Sequence, residues 1–461
     1  MKNLFFSLFF FPLFATGQCW EMVEAKASFT IAKKSDNTLW TWGRNEYGGI
    51  GDGTTVDKNY PVKVGNSSDW QTMSSGNTFV LAIKQDGTLW GWGSNFNGEL
   101  GDGTNMAKLT PIQIGTDNDW QNVSCNSGFT ILLKNNGTLW SCGRNDFGQL
   151  GDGTNINKNI PVQIGLDTNW QFISTGLDYT LAIKNNGTFW AWGANNFGQL
   201  GDGTNINRNT PIQIGTGNNW QKVSAIAEHS LAIKSDGTLW AFGNNFSGQL
   251  GDGTNVHKNT PIQIGTDTNW QSVSAGGRHS LGIKTNGALW AWGLNYEGQL
   301  GGGYPNNNQF FPIQIGNETN WNLISAGAFH STAIKSDNTL RVCGWDNHGA
   351  LGVLGAINNS NSNCNCQWGF IPVSCVALGS ESFNQNIEFI ILPNPSHDYI
   401  IIKNNSIHNI SKIEFLDITG KIILEFLNND EYINIETLQP GFYIVKIKSQ
   451  GKIYNQKLIK Q

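Results

Sequence analysis

The chain has 461 residues, enough for roughly two to four ordinary domains, or for one large repeat array and a small companion. Charged residues make up only 14%, well below the roughly 25% usual in soluble domains, while Gly numbers 56, Phe 25 and Trp 19. This mixture excludes intrinsic disorder and a coiled coil, and a net charge of −5 argues against a nucleic-acid partner held by its phosphates.

The N-terminus predicts a signal peptide over residues 1–17. Lys2 supplies the positive start, 4–14 is an apolar run, and Ala15-Thr16-Gly17 has the small residues of a cleavage site. The run is too short to span a bilayer, and Gln18 before Cys19 does not suit a lipoprotein junction. The expectation is an exported chain with no membrane span.

Trp then recurs at 70, 120, 170, 220, 270 and 321, with a second series at 40, 90, 140, 190, 240 and 290. A 50-residue period signals a repeat architecture. Seven units start at Trp20, Trp70, Trp120, Trp170, Trp220, Trp270 and Trp321. In the unit at Trp270, residues 270–274 alternate like a half-buried strand, 279–284 form a second strand, 285–287 a turn, 289–293 a third strand and 312–315 a fourth. The proline in the fourth suits an outer edge, where a missing N–H costs little. Four short antiparallel strands per unit predict an all-β fold, a seven-bladed β-propeller over 18–376 followed by a small β-sandwich. Whether each blade is one unit, or the fourth strand pairs with the next blade, stays open.

Gly-Gln-Leu-Gly-Asp-Gly-Thr stands at 148–154, 198–204 and 248–254, and the longer pattern Trp-x-x-Val-Ser-Ala-Gly…His-Ser-Leu…Leu-Trp-Ala-Trp-Gly…Gly-Gln-Leu-Gly is complete at 270–301. This resembles the regulator of chromosome condensation repeat, whose family forms seven-bladed propellers, and the resemblance covers about 20–376.

Composition changes after a short polar linker, 377–385. Residues 386–461 contain no Trp, and short alternating strands are expected at 389–392, 399–403, 412–417, 421–426, 432–435, 442–448 and 452–458. Pro393-Asn394-Pro395-Ser396, then Gly420-Lys421, Gly441, Tyr443 and Lys446 resemble the C-terminal sorting domain of type IX secretion substrates. The resemblance implies the type IX machinery as a partner, and a mature protein at the outer cell surface or released.

Of seven Cys, Cys125, Cys142 and Cys343 replace small or aromatic core residues of other units. Cys19, Cys364, Cys366 and Cys375 flank the seam of the expected ring, and an exported chain permits disulfides, so a staple among these four is expected. C-x-C with no nearby His is a poor zinc pattern, and no metal or other cofactor is expected.

Comparison of units separates scaffold from freedom. Nine residues after each first Trp stand Phe29, Phe79, Phe129, Tyr179, His229, His279 and His330, preceded by Ser28, Thr78, Gly128, Asp178, Glu228, Arg278 and Phe329. The third-to-fourth connection adds Tyr47, Phe96, Phe147, Phe197, Phe246, Tyr296 and Trp345. Both sets lie at one end of an antiparallel blade, so that face is the candidate binding surface, with the Phe/Tyr/His set alternatively packed between blades. No nucleophile–base–orienter set stands out, so no enzyme is expected. The Asp of each Gly-Asp-Gly-Thr reads as a turn residue rather than a calcium ligand. The function expected is a binding or adhesion module for an extracellular protein or polysaccharide; the alternatives are a glycan-acting enzyme using Asp178 with Glu228, or an enzyme inhibitor.

Overall fold

A computed structural model describes residues 19–303, 307–353, 366–373, 389–392, 399–404, 410–417, 421–426, 433–449 and 452–460. The expected signal peptide, the linker 377–385, Cys364, Cys375, Pro393, Asn394, Pro395 and Gly420 lie outside them. The chain divides into two compact units, 1–377 and 378–461. Among the described residues no helix is long and apolar enough to cross a membrane.

In the first unit every repeat forms one four-stranded antiparallel sheet in chain order, giving seven such sheets, which we call blades 1 to 7. Blade 1 runs through Trp20–Ala25, Phe29–Lys34, Leu39–Gly43 and Lys58–Lys63, and blade 7 through Trp321–Ala326, His330–Lys335, Leu340–Trp345 and Cys366–Pro372. Each unit therefore completes its own blade, and among the described residues no strand passes to a neighbour. The second and third strands are buried along their length, while the proline-bearing fourth is largely exposed, as an edge strand tolerates.

Blades pack face to face through two-blade cores. One joins Phe29, Ile31 and Val64 of blade 1 to Trp70, Val80 and Trp92 of blade 2; another joins Trp20, Ala32 and Trp42 to Ile334, Val342 and Leu351 of blade 7, so the ring closes. A circle of hydrogen bonds marks the closure. The hydroxyls of Ser74, Ser124, Ser174, Ser224 and Ser274 each accept the backbone N–H of the next blade's first strand at 2.9–3.0 Å. Ser325 returns to Ala25 N at 2.9 Å, and in blade 1 Glu24 Oε2 takes the serine's role toward Ser75 N at 3.1 Å.

On the opposite end of blades 1 to 6 a lysine lies between two Trp rings, and in blade 7 Lys335 lies against Trp321 alone. In blade 4, Lys184 Nζ is 4.6 Å from the Trp170 centroid and 4.0 Å from that of Trp190, a geometry in which the ring faces attract the cation. Trp40, Trp90, Trp140, Trp240 and Trp290 repeat it, and Arg341 stands in that Trp place in blade 7.

The second unit contains strands Phe389–Leu392, Tyr399–Asn404, Ile410–Leu416, Ile422–Phe426, Ile433–Asn434, Gly441–Ser449 and Lys452–Lys460. They form a three-stranded and a four-stranded sheet around a core that includes Ile400, Phe415, Val445 and Leu458. Asp417 N donates to Lys421 O at 3.0 Å and Lys421 N to Asp417 Oδ1 at 3.1 Å, which ties Asp417 to Lys421 just before the fourth strand. Tyr443 is buried and its hydroxyl donates to Gln439 O at 2.8 Å. Gly441 and Lys446 lie on the same long strand, with Lys446 opposite Glu414.

Candidate binding face

The first-to-second and third-to-fourth connections emerge at one end of each blade, because Phe29 pairs with both Lys26 and Gly43, and Gly43 with Lys58. Around that end the structure separates what the sequence grouped. Tyr179, His229, His279 and His330, expected at the binding surface, are fully or almost fully buried, like Phe29, Phe79 and Phe129. Their rings reach into the next blade: Tyr179 Oη donates to His229 O at 2.7 Å, His229 Nε2 meets Ser280 Oγ at 2.9 Å, His279 Nε2 meets Ser331 Oγ at 2.9 Å and His330 Nε2 meets Thr30 Oγ1 at 3.0 Å.

These contacts set the tautomer. The single hydroxyl proton of Ser280 goes to Gln249 O at 2.7 Å, that of Ser331 to Gln299 O at 2.7 Å and that of Thr30 to Ala350 O at 2.8 Å. Each imidazole must then donate from Nε2. Burial pushes their pKa values down, to about 3 for His229 and His279 and about 4 for His330, so all three are neutral. They join blades, with each Nε2 committed to a hydroxyl of the following blade. No group of three or more His, Cys, Asp or Glu able to hold a metal occurs among the described residues.

Phe96, Phe246 and Tyr296 directly follow the loop asparagines Asn95, Asn245 and Asn295 and are exposed; Phe147 and Phe197 come one residue later and are half-buried, while Tyr47, at that later place, is exposed. Aromatics of adjacent blades meet edge to face, Tyr47 with Phe96 at 5.2 Å and Phe197 with Phe246 at 6.0 Å, and His257 joins the second pair at 4.3 Å from Phe246. Phe329 is exposed and meets Trp345 at 5.5 Å.

The asparagine itself is the hub of the loop, and sequence reading missed it. Asn145 Nδ2 donates to Thr154 O at 3.0 Å and Ile156 O at 3.3 Å, while its Oδ1 accepts Leu150 N at 2.9 Å. Asn45, Asn195 and Asn245 repeat the pattern. Burial alone would raise the carboxyl of the neighbouring Asp152, but Thr154, Asn145 and Lys158 hold it below the usual range. Asp52, Asp102, Asp202 and Asp252 behave alike, so these are turn residues. The tight turn also needs glycine: Gly148 has φ +80°, and a Cβ there would come 2.5 Å from the Asn209 backbone of the next blade. The stiffened loop holds Val56, Met106, Ile156, Ile206 and Val256 out in solvent at one repeated place on blades 1 to 5, Ile156 at 65% exposure. Only the outer chain of an aliphatic series at the repeat spacing could have signalled this.

Asp178 and Glu228 sit on adjacent blades, linked by Leu177 N to Ala227 O at 3.1 Å. Desolvation raises the Asp178 pKa to about 6; Arg144, 3.1 Å away, opposes the shift, while Asp146 and Glu228 add to it. Glu228 accepts Asn244 Nδ2 at 2.9 Å. Arg278 is exposed.

Cys125, Cys142 and Cys343 are buried free thiols, as expected of core substitutes, and burial raises the Cys125 pKa to about 12. Cys19 and Cys366 are each disulfide-bonded.

Family models match the chain as an RCC1-like domain over 12–281, as regulator of chromosome condensation (RCC1) repeats over 270–299, 286–334 and 322–350, and as a secretion system C-terminal sorting domain over 390–461. Among solved structures, human WBSCR16 aligns with TM-score 0.65 at 21% identity, covering 73% of this chain and 94% of that one. Prp20p from Saccharomyces cerevisiae, described with its binding to Gsp1p and histones, aligns with TM-score 0.62 at 20% identity, covering 69% and 84%. At these identities the likeness shows the fold. No curated protein matches the chain.

Proposed function

Because the chain belongs to the family of RCC1-like domains and ends in a secretion system sorting domain, we propose that it is an exported binding protein whose loop face docks an extracellular protein. The sorting domain supports export to the cell surface or beyond through the type IX machinery. One observation carries the binding reading: blades 1 to 5 each hold an aliphatic side chain in solvent on rigid loops, and Phe96, Phe246, Tyr296 and Phe329 add exposed rings on the same face. Monomeric surfaces rarely gather apolar groups this way without a use, and aromatic anchors dominate protein interfaces. Stiff loops lose little entropy on docking.

The test places a photo-crosslinking residue at Phe246 and, separately, at Leu166, which is exposed on the opposite end of the ring. Cells and culture fluid of the producing bacterium are then irradiated with each. A discrete adduct from position 246, lost when Phe96 and Tyr296 are changed to Ala, is the expected result. Equal adducts from both positions would remove the face assignment.

A second reading rests on Asp178. A carboxyl with pKa about 6 beside two further carboxylates is suited to general-acid work on a glycan. Hydrolysis of a polysaccharide panel that disappears in Asp178→Asn would favour this reading over docking.

A further inference from the structure

The third strand of blades 1, 2, 4 and 6 places Trp42, Trp92, Trp192 and Trp292 against the preceding blade, and blade 5 uses Phe242. The indole N–H reaches a backbone carbonyl there: Trp192 donates to Gln149 O at 2.9 Å and Trp292 to Gln249 O at 2.8 Å. Blades 3 and 7 have Cys142 and Cys343 instead. Blade 7 is refilled from its own fourth strand. Phe370 stands where other blades have proline, packs on Trp321 at 5.2 Å, and would lie 2.4 Å from a Cβ added to Gly301.

Blade 3 has no such replacement. Pro161 keeps its place, and a cavity of about 230 Å³ remains, lined by Gly101, Ile114, Trp120, Trp140 and Pro161, with Gly115 to Asp117 at its lip. These residues match the walls of the indole sites elsewhere. Gly151, the counterpart of Gly101, would place a Cβ 2.6 Å from Trp192 Nε1, and Ile164, the counterpart of Ile114, shares a core with Trp192. The carbonyl corresponding to Gln149 O is Glu99 O. It accepts Thr130 Oγ1 at 2.8 Å and, in place of an indole N–H, the weak thiol donor of Cys142 at 3.5 Å.

We propose that this vacancy is a binding site for a planar indole-type ring. An apolar cavity of about 150 Å³ stays dry and takes up benzene, so this larger one has room for two fused rings. Trp120 and Trp140 offer aromatic walls, which favour offset or edge contacts with a third ring. At the lip, Asp117 pairs with Lys134 at 2.6 Å, so the mouth is polar and the interior apolar. The site is independent of the loop face, because the 114–117 segment joins blades at the opposite end.

The experiment titrates free indole and, separately, N-acetyltryptophanamide into the full chain, reading heat and the shift in melting temperature. Saturable one-to-one binding of at least one probe is expected. Cys142→Trp, which fills the space from blade 3, and Ile114→Phe, which intrudes from blade 2, should each weaken it at least tenfold; the second variant keeps the test open if the first does not fold. Binding of the amide alone assigns the ring to a peptide side chain, and binding of free indole alone assigns it to a small molecule. Absence of saturable binding by both, or equal binding by wild type and a folded variant, overturns the proposal.

Discussion

A histidine that is neutral in the fold and ordinary in the unfolded chain makes stability depend on pH. Below about pH 6.5 the unfolded chain binds more protons than the fold, so stability is complete above that value. It declines as pH falls toward about 3 for His229 and His279, and about 4 for His330. Each contributes a slope of about 1.4 kcal/mol per pH unit in that window. Phe29, Phe79 and Phe129 occupy the same place, so His279→Phe should fold and flatten the acid side of the curve. Urea titrations at pH 7 and pH 5 measure this; an unchanged difference between the two would show that His279 is not the neutral, buried group described. The same residues show where sequence reading ran out. The fold was legible because Trp and Gly recur at a fixed phase. The direction of a side chain was not, because a one-residue shift reverses it: Phe246, next to the loop asparagine, faces water, whereas Phe197, one residue farther on, is half-buried. The row at Tyr179 to His330 carries polar atoms that face inward onto hydroxyls of the following blade, and one unit's sequence does not reveal its neighbour's hydroxyls.

Between blades, single hydroxyls carry repeated duties. Ser224, Ser274 and their counterparts link first strands that share no strand pairing, and removing one leaves a backbone N–H of the next blade without its acceptor. Ser274→Ala should therefore cost about 1–3 kcal/mol, the penalty for an unanswered buried donor. Equilibrium denaturation reads the loss, and amide exchange at Ala326 should quicken selectively. A loss spread evenly over all blades would contradict the local role. Glu24 is the exception in this circle. Its carboxylate also pairs with Lys26 at 3.2 Å, so blade 1 meets blade 2 through a charge where the others use a neutral hydroxyl.

Across the whole ring, the contact between blades 7 and 1 has to be made by residues some 300 positions apart, among them Ala25 with Ser325 and Thr30 with His330. No shared strand holds it. Trp42 Nε1 donates to Ala350 O at 2.9 Å, and Asp57 meets His348 at 2.6 Å across the same junction. Cys19 stands immediately before the first strand and Cys366 begins the last, both in disulfides. Reduction should thus act first at this junction. Hydrogen exchange with and without dithiothreitol is expected to quicken blades 1 and 7 and leave blade 4 protected, with a total loss of about 2–4 kcal/mol for a lost disulfide. Uniform quickening would mean the disulfides act on the ring as a whole. One unit per blade was not decidable from the repeat, since both modes of closure use the same strands; the pairing of Leu340–Trp345 with Cys366–Pro372 decides it.

The lysines held between Trp rings bear on how the protein meets reagents. Lys34, Lys134, Lys184 and Lys284, and Lys335 against Trp321 alone, are nearly inaccessible, although lysine is ordinarily the most available amine on a protein. An amine-directed label that modifies the exposed lysines would spare these while their blades are intact and take them as each blade opens. These shielded amines, in blades 1, 3, 4, 6 and 7, thus form a built-in record of which part of the ring has come apart, readable residue by residue in a mass spectrum.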